Sequence, residues 1–166
     1  MKLSEGVEQA IHSVLMLAAL ADDAALPAAA LAEYHGASTS YLLKHLQALS
    51  GAGVLLSVPG PAGGYRLARP AEKISLLDIV LAVEGREPAF RCAEIRQRGP
   101  DALPGPYTMP CEINAAMLKA ERAWRNELAK VTVASIAAEV EAHDADGAIA
   151  ARRCAFLERR ERHPSR

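Results

Sequence analysis

Residues 38–67 decide the fold, and they read STSYLLKHLQALSGAGVLLSVPGPAGGYRL. Leucines at helical spacing, ahead of two glycines, predict a helix with one apolar stripe that ends in a tight turn: Leu42, Leu43, Leu46 and Leu49. The hydroxyl residues 38–40 stand where side-chain oxygens can cap the first N–H groups of that helix. Residues 54–58 and 65–67 then suit two short strands joined by the turn cluster PGPAGG. A helix followed by a two-stranded wing is the outline of a winged helix-turn-helix.

The charge pattern indicates a polyanionic partner for this stretch. Residues 34–71 contain no Asp or Glu, although the whole chain has a net charge of −1. We therefore expect DNA as the partner, contacted by the start of the helix and by the wing. The candidate DNA-binding residues are Ser38, Thr39, Ser40, Tyr41, Lys44, Gly63, Gly64 and Arg66. The alternatives are a helix that only fills the core and a winged helix that binds another protein.

Further helices are predicted on both sides of this unit. A first helix spans residues 4–21, a second runs from Pro27 to Gly36, and Ser75 caps a third that closes at residues 84–85. Residues 86–111 contain five prolines and two glycines, which excludes long regular structure. From residue 112 to about residue 130, apolar side chains recur every three or four positions, as in a helix buried against a partner: Ile113, Met117, Ala120, Trp124, Leu128 and Val131.

The predicted fold class is mainly α, with a small two-stranded wing. It is divided into a winged helix-turn-helix domain (1–85), a cysteine loop (86–111), a dimerisation helix region (112–140) and a peripheral tail (141–166). The 166 residues contain no apolar run long enough for a bilayer, and Glu5 and Glu8 interrupt the place of a signal peptide. Three widely spaced cysteines fit reduced thiols, so we expect a cytoplasmic protein. No phosphate-binding loop, activated nucleophile or HExxH helix is present, so we do not expect an enzyme.

Cys92 and Cys111 are the candidate metal ligands. Soft thiolates favour iron–sulfur clusters and zinc, but two of them alone do not complete a cluster. Imidazole and carboxylate groups can supply the remaining ligands, and without a metal the two thiols could form a redox-active disulfide. Cys154 lies far off in the tail and is not counted as a ligand.

Four motifs resemble the IscR/NsrR-type regulators: MKLS at residues 1–4, SYLLKHLQALSGAGVLLSV at 40–58, GGYRLARP at 63–70 and ISLLDIVLAVEG at 74–85. That family consists of dimeric bacterial winged-helix transcription factors, many of which carry an iron–sulfur cluster. The resemblance covers residues 1–140 and implies a homodimer that binds a palindromic operator in double-stranded DNA. One departure lies in the wing, where the family often has an Arg before the first glycine and this chain has Pro59.

The cysteine loop resembles a subgroup more closely. FRCAEIRQRGP at residues 90–100 is similar to the loop of the RsrR-like redox sensors, which hold a 2Fe–2S cluster with two Cys, one Glu and one His. The resemblance implies Cys92, Cys111, Glu8 and His35 as ligands, with ligands drawn from both subunits. His12, four residues after Glu8 on the same helical face, is the substitute for His35. The implied function is a redox-sensing regulator, and the alternative is a cluster-free relative that senses through the Cys92 and Cys111 thiols.

Overall fold

The computed structural model describes residues 3–98, 100, 102, 105 and 107–163. It is mainly helical with one two-stranded antiparallel sheet, in the order α1 (Glu5–Leu17), α2 (Ala28–His35), α3 (Thr39–Gly51), β1 (Leu55–Val58), β2 (Gly64–Leu67), α4 (Leu76–Glu84), α5 (Glu112–Lys130), α6 (Val133–His143) and α7 (Ala148–Arg160). The predicted winged-helix class is confirmed. Residues 1–2, parts of the predicted cysteine loop and residues 164–166 of the predicted tail lie outside the described residues.

Helix α3 packs its leucines into the core of the winged helix. Leu42, Leu46 and Leu49 are fully buried, while Leu43 is half-buried. Ser38 precedes the helix as predicted, but its hydroxyl lies 3.1 Å from that of Ser40 and caps no backbone N–H. The helix start was therefore predicted correctly, and its hydroxyl cap was not.

Helices α1 and α3 approach each other closely at one glycine. A Cβ added to Gly6 of α1 would lie 2.4 Å from Cε1 of His45, which is buried in α3. With a contact this short, His45 or the backbone must shift before position 6 can hold any side chain larger than hydrogen. Helix α1 also ends earlier than predicted, at Leu17, because the chain turns to bring Leu26 beside Tyr65 of the wing.

The wing is a tight hairpin with a further strand-like edge. Leu55 pairs with Leu67 and Val58 with Gly64. Gly63 is needed for the turn itself, since a Cβ there would lie 2.1 Å from the carbonyl oxygen of Val58. On the other side of β2, Leu26 forms a bridge to Tyr65, so the α1–α2 connection widens the sheet.

Helix α5 has the predicted bounds and contributes no buried residue in the single chain. Its predicted apolar stripe is largely uncovered, with Ile113 64% exposed and Met117 44% exposed. Beyond α5, Val133 donates its N–H to the carbonyl of Ile74 at 2.9 Å, which returns the chain to the winged helix beside α4. No helix within the described ranges combines the length and apolarity that a bilayer span requires.

The C-terminal segment differs from the predicted peripheral tail. Phe156 and Leu157 of α7 are buried and belong to the main hydrophobic core. The Phe156 ring packs edge-on against Tyr34 of α2, with ring centroids 4.9 Å apart. Two adjacent large apolar residues in a charged helix give little periodicity, so the sequence underestimates the burial of α7.

Candidate metal centre and nucleic-acid interface

The start of α3 presents the predicted DNA-reading side chains to solvent. Ser38, Thr39, Ser40, Tyr41 and Lys44 are all exposed. The Tyr41 ring is held edge-on against His45 at a centroid distance of 4.6 Å. The helix therefore offers hydroxyl groups, an aromatic edge and one cation where a recognition helix contacts bases and phosphates.

The wing residues are positioned by contacts of their own. Arg66 is half-buried, and its Nη1 donates to the backbone carbonyl of Asp22 at 3.4 Å. A Cβ at Gly64 would lie 2.5 Å from the carbonyl of Leu26, so this glycine allows the wing to pack on the α1–α2 connection. Residues 59–62 at the wing tip carry no charged side chain.

The two predicted cysteine ligands lie together. Ligand atoms of Cys92, Cys111 and Glu94 are all within 4.8 Å of one another. Cys111 is buried at the residue before α5, whereas Cys92 is exposed, and both are free thiols. Among the described residues, no other group of three or more His, Cys, Asp or Glu side chains meets this spacing.

The environment of Cys111 favours its thiolate form. The backbone N–H of Asn114 at the start of α5 does most to lower the pKa of the Cys111 thiol, with help from Ile113, Cys92 and the positive charge of Arg96, while burial opposes the shift. A position at a helix N-terminus lowers the pKa of a thiol, and the thiolate is the form that binds soft metals. The donor chemistry present at this pair therefore fits an iron–sulfur cluster or another thiophilic metal.

Arg96 organises the loop around the cysteines. Its Nε and Nη2 donate to the two carboxylate oxygens of Glu94 at 2.5 and 3.1 Å, and its Nη2 reaches the carbonyl of Met109 at 3.4 Å. The hydrogen bonds from Arg96 hold the pKa of Glu94 below its usual range. Glu94 adopts a left-handed backbone conformation, with φ of 48°, which is uncommon for a residue with a side chain. The residue with this strained backbone, two positions after Cys92, is therefore the one that forms the ion pair with Arg96.

Glu8 and the two histidines lie in a second, separate place. Glu8, His12 and His35 line one cavity of about 400 Å³ together with Glu5 and Gln9. The rings of His12 and His35 have centroids 5.7 Å apart. His35 is half-buried, and burial, followed by the charges of His12 and Arg152, lowers its pKa. Its Nε2 is buried without a hydrogen-bond partner in the described part of the chain.

Within one chain, the four predicted ligands fall into two pairs. The structure brings Cys92 together with Cys111, and Glu8 together with His35, but it does not join the two pairs at ligand distance. Sequence reasoning missed Glu94 and His45. Glu94 could have been found from its position two residues after Cys92, whereas the contact of His45 with Gly6 has no local signal.

The predicted reading helix, α3, has an exposed start beside a two-stranded wing, which is the arrangement of a winged-helix DNA-binding regulator. Residues 3–139 match the Rrf2 family, described as iron-dependent transcriptional regulators. This protein belongs to the Rrf2 family and is a DNA-binding transcriptional regulator.

Individual relatives agree with this assignment. The putative HTH-type transcriptional regulator YffB of Lactococcus lactis is 34% identical over 141 residues, covering 85% of this chain and 90% of that protein. IscR of Photobacterium profundum is 35% identical over 92 residues, 55% of this chain and 54% of that protein. The oxidized form of Staphylococcus aureus CymR superposes with a TM-score of 0.60 at 26% identity, covering 82% of this chain and 96% of that one.

Proposed function

We propose that this protein is a homodimeric redox sensor that holds a 2Fe–2S cluster and binds its operator according to the state of that cluster. The observation that carries the proposal is the convergence of Cys92 and Cys111, with ligand atoms within 4.8 Å at the start of α5. Cys92 and Cys111 would bind from one subunit, and Glu8 with one imidazole, His35 or His12, from the other. A bound 2Fe–2S cluster would supply reversible one-electron chemistry.

The uncovered stripe of α5 supports a homodimer. Ile113 and Met117 are exposed large apolar residues on the helix that begins directly after Cys111. Because exposed apolar residues at helical spacing favour pairing with a partner helix, a second copy of α5 is the proposed occupant. Dimerisation through α5 would place the cysteines of each subunit beside the interface, and this supports ligands shared between subunits.

The packing of α1 on α3 supports coupling between the metal ligands and DNA. Glu8 lies two residues after Gly6, and Gly6 contacts His45, the neighbour of Lys44 on the reading helix. A change in the position of α1 would move α3 with it, because the two helices pack directly on each other at Gly6 and His45. Operator half-sites recur about 34 Å apart, so a small shift in the separation of the two reading helices changes affinity.

Mixed dimers test the shared site. Glu8→Ala and Cys92→Ala subunits, carrying different affinity tags, are purified anaerobically as heterodimers and assayed for iron and sulfide. Ligands from opposite subunits predict half of the wild-type content, because one of the two sites keeps its full set. Heterodimers without iron would exclude the shared site. His12→Ala and His35→Ala homodimers then identify the imidazole, since loss of the true ligand alters the visible spectrum.

The second candidate function is sensing through thiols without a cluster. It is favoured by the exposed Cys92 beside Cys111, whose lowered pKa, caused mainly by the backbone N–H of Asn114, suits disulfide exchange. Iron and sulfide quantitation of anaerobically purified protein separates the two functions. A colourless, iron-free dimer that forms a Cys92–Cys111 disulfide and releases DNA on oxidation would replace the cluster proposal.

A further inference from the structure

The C-terminal segment lies outside the family match, which ends at residue 139, yet it reaches the wing. Arg162 and Ala25 exchange two backbone hydrogen bonds, of 2.8 and 2.9 Å. The next residue, Leu26, is bridged to Tyr65 of β2. Residues 25 and 26 therefore link the wing on one side to the C-terminal segment on the other.

The side chain of Arg162 extends to the wing tip. Its Nη1 donates to the carbonyl oxygen of Pro61, at the turn between β1 and β2. Arg162 is exposed, and in the described part of the chain no carboxylate lies within 4.0 Å of its guanidinium. One carbonyl occupies only part of the five N–H donors of a guanidinium, so the group retains donors for a further acceptor.

Two neighbouring side chains make contacts elsewhere. Arg160 contacts Glu33 at 2.7 Å, and His163 lies 3.3 Å from Asp23 and 3.5 Å from Glu161. The wing tip itself, residues 59–62, carries no charge. Among the described residues, Arg162 brings positive charge to this tip through its contact with Pro61.

We propose that Arg162 contacts a DNA phosphate beside the wing, so that the C-terminal segment forms part of the DNA-binding surface. A guanidinium suits this role because it binds phosphate oxygens with two parallel hydrogen bonds. The wing tip would then acquire a phosphate contact from a distant part of the chain. The inference rests on the DNA binding of the family and is independent of the metal centre.

The test measures how binding depends on salt. The probe is a fluorescent duplex selected from a random-sequence pool by the wild-type protein, and its affinity is measured by anisotropy over a range of KCl concentrations. Affinity falls as salt rises, so the slope of log affinity against log salt is negative. Arg162→Gln is expected to make this slope less steep by about 0.9 per protomer that contacts the duplex. Arg162→Lys keeps the charge and should keep the slope. Lys119→Gln, which removes a charge exposed on α5, is the control and should also keep it.

Three outcomes overturn the proposal. A wild-type slope in Arg162→Gln excludes the phosphate contact. Weaker binding at every salt concentration with an unchanged slope would limit Arg162 to holding the wing turn. An equal change of slope in Lys119→Gln would reveal a general charge effect. Thermal unfolding of each variant verifies the fold, and failure of the wild type to select any duplex would instead contradict the DNA-binding role.

Discussion

The guanidinium carbon of Arg96 lies 4.3 Å from the centroid of the Tyr107 ring, and the Tyr107 hydroxyl donates to the Arg96 carbonyl oxygen at 3.4 Å. These two residues belong to the parts of the loop that follow Cys92 and precede Cys111. Their contact joins these two parts of the loop, so we expect it to help to hold the two thiols near each other. Arg96 is therefore a positioning residue for the proposed cluster, although it is itself no ligand.

Arg96→Gln should weaken the retention of iron. The variant loses the contact over Tyr107 and the paired hydrogen bonds to Glu94, so the cysteines are held less firmly. We expect iron to be lost to a chelator several-fold faster, as measured by the decay of the visible absorbance. Dimer formation should be unchanged. Arg98→Gln, an exposed arginine two residues away, is the matched control. Equal rates in the two variants would remove Arg96 from this role.

Trp124→Asp should dissociate the proposed dimer. Trp124 is half-buried on the α5 stripe, and an unpaired charge buried in an apolar interface costs on the order of several kcal/mol. Analytical ultracentrifugation at micromolar concentration is expected to find a monomer. Asn126→Asp places the same charge on an exposed position of α5 and should remain dimeric. A dimeric Trp124→Asp protein would mean that another surface forms the interface.

Lys44→Ala should weaken binding to every DNA sequence. Lys44 is exposed on α3 next to the predicted base-reading side chains. Loss of one phosphate contact should lower the salt slope by about 0.9 per protomer. Lys130→Ala, at the far end of α5, should leave the slope unchanged. An unaltered slope in Lys44→Ala would place this lysine outside the interface.

Gly6→Ala should destabilise the fold. The added Cβ would lie 2.4 Å from Cε1 of His45, and overpacking of this kind typically costs about 1–3 kcal/mol. Gly51→Ala is the control, because a Cβ at the end of α3 meets nothing within 4 Å. The urea concentration at the midpoint of unfolding should therefore fall for the first variant and stay the same for the second. Equal midpoints would show that His45 moves aside at little cost.

Local signals predicted much of the fold. Ser75 begins α4 with a reciprocal hydrogen-bond pair to Asp78, and the apolar spacing of α5 gave both of its ends. Long-range pairing carries no such signal, so the early end of α1 and the docking of α7 could not be read from periodicity. Cys92 and Cys111 were predicted as ligands because soft thiolates favour iron–sulfur clusters and zinc. The second pair, Glu8 with His35, stays a prediction, because one chain does not contain the surface that would join it to the thiols.

The pairing of Arg162 with Ala25 has a consequence for the order of events during synthesis. Domains generally fold as units during synthesis, and the core of this one includes Phe156 and Leu157 of α7, so a chain still short of residue 162 has not completed its domain. Such a nascent chain has its reading helix but lacks the edge beside residue 25 and the guanidinium at Pro61. Full contact with the operator would then begin only after translation has passed the last turn of α7.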